Sequence, residues 1–124
     1  MAQALALGMT EMFRSQPLID LRTPRSTFDT FCRAVLTEQP QCLWDTIHPD
    51  LRMMMQRRLQ VEGHNRFFQR MKPIVSNSSG RLTLGDPQEV SATAVVCNLR
   101  RGSREVGKAW FAFHNRQWVL SQLS

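Results

Sequence analysis

From Thr23 onward the apolar positions recur first at helical spacing and then at strand spacing. Phe28, Phe31, Cys32, Val35 and Leu36 stand at i, i+3, i+4, i+7 and i+8, one stripe of a helix. Thr23 is suited to cap it and Pro24 to its first helical position, where a missing N–H costs nothing. The helix is predicted to stop near Glu38, because Pro40 drives Gln39 out of the α region. Pro40 opens a short helix with Leu43, Trp44 and Ile47 on one face, ended by His48-Pro49. Pro49 starts a third, with Asp50 against the dipole, Leu51, Met54, Met55 and Leu59 on its buried side, and Gly63 as its C-terminal cap. Asn65 is predicted to cap a fourth helix that points Phe67, Phe68 and Met71 inward and ends at Lys72-Pro73. Ile74-Val75 then reads as a brief strand and Ser76 to Gly80 as a flexible polar loop. Arg81 to Leu84 reads as a short strand stopped by a Gly85-Asp86-Pro87 turn.

The last third changes period. Val90 to Arg100, Glu105 to His114 and Gln117 to Leu123 are rich in β-branched and aromatic residues and are separated by Gly102-Ser103 and Asn115-Arg116, as in an antiparallel meander. Two-residue turns would set Phe111 and Phe113 opposite Ala94 and Ala92 on one side, and opposite Leu120 and Trp118 on the other. One face would then hold Ala92, Ala94, Val96, Ala109, Phe111, Phe113, Trp118 and Leu120, large rings beside small alanines, suited to a concave surface receiving helices. The other face, with Val95, Cys97, Trp110, Ala112 and Val119, is too apolar to stay wholly in water. Helices first and a hairpin-connected sheet last give an α+β class: N-terminal helices packed in the concave face of a curved, mostly antiparallel, cone-like sheet. A second apolar face implies a cover, and a homodimer through Val95, Cys97, Trp110, Ala112 and Val119 is preferred over a flap made of residues 1–22.

With 124 residues, 42% of them hydrophobic, the chain suffices for one core, so residues 23–124 read as one domain and residues 1–22 as an N-terminal arm or short helix. Leu5, Met9, Met12 and Phe13 suggest one helical face there, but Gly8 and Pro17 weaken it. The apolar stretch Ala2–Met9 lacks both the basic flank of a secretory signal and the length of a membrane span. Cys32, Cys42 and Cys97 form neither a disulfide framework nor a CxxC motif, which fits a cytoplasmic protein with structural thiols.

The net charge of +6 comes from fourteen arginines against two lysines and favours anionic partners in general. Arg52, Arg57 and Arg58 spread around their helix, Arg66 and Arg70 share a face, and Arg100, Arg101 and Arg104 crowd one hairpin tip. No aromatic stacking pattern and no nucleic-acid-binding motif accompanies them, so nucleic acid is not the expected partner.

The run TPRSTFDTFCRAVLTEQPQCLWDTIHPDLR, followed by a sheet ending KAWFAFHNRQWVLSQL, resembles small bacterial members of the nuclear transport factor two-like superfamily, an α+β cone with a cystatin-like fold. The likeness covers about residues 23–123 and carries no catalytic motif. The resemblance implies a cone with an interior cavity and, in many members, a dimer through the outside of the sheet; its members include isomerases, dehydratases, hydrolases, ligand-binding modules and adaptors.

Enzymes of that superfamily place an Asp, His or Tyr inside the cone. This chain has no Tyr, and its expected inner strand face offers no acid or base. Asp45, His48 and Asp50 are the one acid–base cluster close in sequence, and a His beside a helix start is more often a cap than a catalyst. Apolar rings and thioethers at Phe28, Phe31, Trp44, Met54, Phe67, Phe68, Met71, Phe111, Phe113 and Trp118 are the expected ligand-binding lining, or equally the core. No metal set emerges, since His114 and Cys97 are too far apart along the sheet, and no phosphate-binding or dinucleotide loop indicates a cofactor. The expectation is a noncatalytic small-ligand-binding or protein-interaction domain. A cofactor-free isomerase, dehydratase or hydrolase acting through Asp45, His48 or Asp50, and a basic accessory protein holding an acidic partner or nucleic acid, are the alternatives.

Overall fold

A computed structural model describes residues 19–124; the reading of Leu5 to Phe13 as a helical face lies outside them. Helix α1 spans Pro24–Leu36 and is capped as its sequence dictates. Thr23 Oγ1 accepts from the Ser26 amide at 3.0 Å, while Ser26 Oγ accepts from the Thr23 amide at 3.0 Å, a reciprocal box with serine in the usual Glu position. Its C-terminus closes through Glu38, whose φ of 55° is the left-handed conformation that glycine usually supplies. The Gln39 amide donates to Ala34 O and the Glu38 amide to Val35 O, which satisfies two end carbonyls. In that position the Glu38 carboxylate accepts from Lys72 Nζ at 2.6 Å and meets His64 Nε2 at 3.1 Å, tying α1 to α4. The Lys72 bond holds the Glu38 carboxyl below the ordinary carboxylate range.

Helix α2 (Pro40–Asp45) and helix α3 (Pro49–Glu62) begin at their prolines. Between them, Thr46–His48 runs parallel to the last strand: Leu120 N–H donates to Thr46 O at 2.7 Å and His48 N–H to Leu120 O at 2.8 Å. Helix α4 (His64–Val75) follows after the single residue Gly63, whose φ of 87° reverses the chain. Two expectations fail here. Asn65 does not cap α4 and lies in its first turn; Gly63 occupies the cap position without a side-chain bond. Lys72-Pro73 does not end α4 either, and Ile74-Val75 forms its last turn instead of a strand. The turn survives the proline because Val75 is fully buried and side chains take the end carbonyls: Asn77 Nδ2 donates to Pro73 O at 3.1 Å and Arg101 Nη2 to Ile74 O at 2.6 Å.

The four helices of the described residues pack against a curled five-stranded antiparallel sheet, a half-barrel in the order β1-β2-β3-β4-β5. Its strands are β1 (Ser76–Asn77), β2 (Gly80–Ser91), β3 (Ala94–Arg101), β4 (Arg104–His114) and β5 (Gln117–Leu123). The expected loop at 76–80 is a tight hairpin, braced by Asn77 Oδ1 accepting from the Ser79 amide at 2.8 Å. Gly85-Asp86-Pro87 does not end a strand: β2 continues through it with a register irregularity between Leu84 and Pro87. The turn falls at Ala92-Thr93, inside the segment expected as one strand from Val90 to Arg100.

The register between β3 and β4 differs by one residue from that expected, and the cause is local. Arg100 pairs with Glu105 but Leu99 with Gly107, so Val106 is an extra residue, a bulge, and Phe111 lies opposite Val95 instead of Ala94. A one-residue slip exchanges the faces of a strand. Val95, Cys97 and Leu99 therefore point into the core, while Ala94 and Val96 lie on the outer face. The β4–β5 register is as expected, Phe111 opposite Leu120 and Phe113 opposite Trp118, around a turn whose Asn115 and Arg116 both have positive φ.

One cluster of buried side chains joins the layers, with Phe28, Phe31, Val35, Leu43, Phe67 and Phe68 from the helices meeting Leu82, Cys97, Phe111 and Leu120 from the sheet. Thr27 Oγ1 donates to Trp118 O at 2.7 Å, a partly buried bond from α1 to β5. The outer edge of β5 is covered along its first half, since Trp118 N–H donates to Leu21 O at 2.9 Å and Leu120 pairs with the Thr46–His48 segment. Among the described residues no helix is long and apolar enough to cross a membrane.

Candidate functional site

The side chains expected to line a cone cavity mostly fill it. Phe28, Phe31, Trp44, Phe67, Phe68 and Phe111 are all buried in the one core cluster, with Phe67 edge-on to Phe68 at 5.1 Å and tilted against Trp44 at 6.2 Å. Trp118 and Met71 are half-buried at its margin. Two members point elsewhere: Phe113, 42% exposed, rests on Trp118 near the β4–β5 turn, and Met54, 69% exposed, stands on the outer side of α3. Met54, Phe67 and Met71 do converge, with Leu51, Met55 and Arg58, on a cleft of about 160 Å³ between α3 and α4.

A polar cleft of about 350 Å³ lies at the rim, where the α2–α3 corner meets the β4–β5 turn. Asp45 faces it together with Arg52, His114, Asn115 and Gln117, over an apolar wall that includes Leu21 and Val119. The acid–base cluster adjacent in sequence is thereby divided. His48 is the N-cap of α3, its Nδ1 accepting from the Asp50 amide at 3.2 Å, which fixes the neutral ring as the Nε2–H tautomer. The Asp50 side chain is 94% exposed. The residue that sequence reading set aside is His114, whose ring packs edge-on to His48 at 5.2 Å and borders the cleft. The bridge between Ile47 and Leu120 brings the two histidines together, and nothing local in the sequence announces it. Arg52 Nη2 donates to Ile47 O at 3.4 Å while its buried Nε has no partner.

Several arginines prove to be structural. Arg101, expected as part of a charged hairpin tip, donates to Gly80 O at 3.0 Å and to Ile74 O, clamping the first hairpin to the end of α4. Arg22 forks onto Asp20, and Arg70 pairs with Glu62. Among the described residues, Arg57 and Arg58 on α3 have no acidic partner, and no group of three or more His, Cys, Asp or Glu is placed to hold a metal ion.

The thiols carry no activated nucleophile. Burial pushes Cys32 up to about 12, and burial also raises Cys42 and Cys97. A raised value keeps each as the neutral thiol at pH 8. Cys42, half-buried, is expected to be alkylated first in the native protein, with Cys32 and Cys97 modified only on unfolding. Peptide mapping after timed iodoacetamide treatment checks this, and early labelling of Cys32 contradicts the packing described.

No known protein family matches the chain, and neither the curated proteins nor the solved structures yield a significant match.

Proposed function

We propose that this chain is a noncatalytic interaction domain built on a nuclear transport factor two-like cone and working as a homodimer through the outer face of its sheet. The observation that carries the reading is the state of the interior. Rings fill it, and the buried polar residues Thr27, Thr30 and Thr46 donate their hydroxyls to Trp118 O, Ser26 O and Leu43 O. An interior so filled and satisfied favours use of the outside. On the outer face Trp110 lies beside Val96, and Ala112 beside Ala94. This is a small apolar patch centred on a half-buried tryptophan, the anchor residue that interfaces favour. Val95 and Cys97 belong to the core, and Val119, 4% exposed, is covered too, so these three leave the interface proposed from sequence. All three cysteines are free, which accords with the cytoplasm as the compartment.

Sedimentation equilibrium tests the dimer. The wild type is expected at twice the chain mass of 14.3 kDa. Trp110→Arg is expected to weaken association about 30-fold or more, the scale of losing one central anchor. A wild type that stays monomeric at every concentration, or a Trp110→Arg chain that dimerises equally well, defeats the proposal.

A second reading is favoured by one observation, the meeting of Asp45, Arg52 and His114 at the rim cleft. There a carboxylate and an imidazole would serve a cofactor-free isomerase, dehydratase or hydrolase, with Arg52 holding an anionic substrate group. A soaked panel of small carbonyl and carboxylate compounds, read by shifts of the His114 ring resonances, supports that reading if one saturates the shift and defeats it if none does.

A further inference from the structure

Helix α3 is unusual in this fold because none of its residues is fully buried. At 100° per residue, Leu51, Met55, Leu59 and Glu62 fall on the side facing the body of the protein and are half-buried. Met54 and Val61 fall on the outer side between Arg57 and Arg58. Met54 and Val61 are 69% and 81% exposed, large values for apolar side chains placed one above the other. Two clefts meet beneath them. One of about 160 Å³ reaches down between α3 and α4 to Phe67 and Met71, and the other, about 420 Å³, runs along Met54, Arg57, Arg58, Val61 and Glu62. Met54 and Arg58 border both, so the two form one groove with an apolar floor and an arginine lip.

We infer that this groove docks an acidic amphipathic helical segment of another protein. Charge selects the occupant. No carboxylate among the described residues pairs with Arg57 or Arg58, and Glu62, the acid of the groove, is engaged by Arg70. Guanidinium groups without an acidic partner among the described residues, set on an apolar border, call for carboxylates spaced along an otherwise apolar face. The floor selects the rest: unbranched thioethers adapt to an inserted side chain, and the smaller cleft is of the size of one leucine or phenylalanine side chain. A second copy of this chain fits poorly, because a two-fold contact here would set Arg57 and Arg58 against themselves. Nucleic acid fits poorly as well, since the groove offers thioethers where bases would need rings to stack on. A bilayer surface would cover the groove without filling its deeper cleft.

The proposal rests on the interaction-domain reading but shares no residue with the outer sheet face. Its test uses the full chain and a fluorescein-labelled designed peptide of about four helical turns, with leucines on one face and glutamates on the other. Fluorescence anisotropy is expected to show saturable, micromolar binding, and the methyl resonances of Met54, Met55 and Met71 are expected to move. Arg57→Glu with Arg58→Glu, and separately Met54→Asp, should each weaken binding at least about tenfold while leaving the melting curve in place, because all three side chains are exposed. Trp110→Arg should bind unchanged. Equal binding of a scrambled peptide of the same composition, binding of the lysine-for-glutamate peptide, or unmoved methionine methyls overturns the inference. So does adsorption to anionic phospholipid vesicles without peptide binding, or self-association that Met54→Asp abolishes. A chain that dimerises through Trp110 yet ignores the peptide loses the groove and keeps the dimer; a monomer that binds the peptide does the reverse.

Discussion

Phe111→Ala is expected to destabilise the protein by about 3–5 kcal/mol, a large share of the roughly 5–15 kcal/mol that holds a domain of this size together. The ring is 1% exposed, lies on β4 between Val95 of β3 and Leu120 of β5, and belongs to the cluster that joins helices to sheet. Removing it takes away both its transfer energy and its contacts, and neighbours on two paired strands cannot close the void without breaking their ladders. Phe113, two residues along the same strand and on the same face, gives the contrast. It is 42% exposed and its ring contact is with Trp118 at 5.3 Å, so Phe113→Ala is expected to cost about 1 kcal/mol. Urea titrations of both variants, with Phe111→Leu as a near-isosteric control, decide the matter. Equal losses at the two positions would mean that the helices do not roof the sheet as described.

The same pair of rings shows what was legible in the sequence. Elements that begin with a proline behind a polar cap were readable, because Thr23-Pro24, Pro40 and Pro49 restrict the backbone locally and need no tertiary partner. The Asn115-Arg116 turn was readable for the same reason, and it carried the β4–β5 register with it. The Ala92-Thr93 turn was not: neither residue has a positive φ, and besides a local bond from the Thr93 amide to Ser91 Oγ at 3.2 Å the connection is held by Phe113 N–H donating to Thr93 O at 2.8 Å. The bulge at Val106 was not legible either, and it exchanged the faces of β3, which is why Val95 and Cys97 were expected outside. Pro73 was read by its local rule, yet the burial of Val75 and the reach of Arg101 from β3 override it. The rim cleft follows the same logic. Asp45 was visible as a candidate, but its company with His114 depends on a bridge between Ile47 and Leu120 that spans most of the chain.

Why the bulge sits at Val106 leads to the second large effect, because its neighbour Gly107 has no room for a side chain. A Cβ on Gly107 would overlap the backbone oxygen of Ser124, which at that place accepts from the Lys108 amide at 3.0 Å, while the Ser124 amide donates to Lys108 O at 2.9 Å. The obstacle is backbone held by two hydrogen bonds, so it does not yield as the tip of a flexible side chain would. On the other side, Leu99 Cδ1 stands 3.9 Å from the same position, an ordinary contact that adds little. Gly107→Ala is therefore expected to cost about 1–3 kcal/mol by overpacking, despite alanine's advantage of about 0.5–1 kcal/mol over glycine in regular structure. A double-mutant cycle separates the two contributions. In a chain ending at Leu123 the obstructing residue is gone, and Gly107→Ala should become neutral or mildly stabilising there, with the difference between the two backgrounds measuring the clash. If Gly107→Ala is tolerated equally with and without Ser124, the last residue does not lie over β4, and the pairing that closes the sheet beyond Leu123 must be given up.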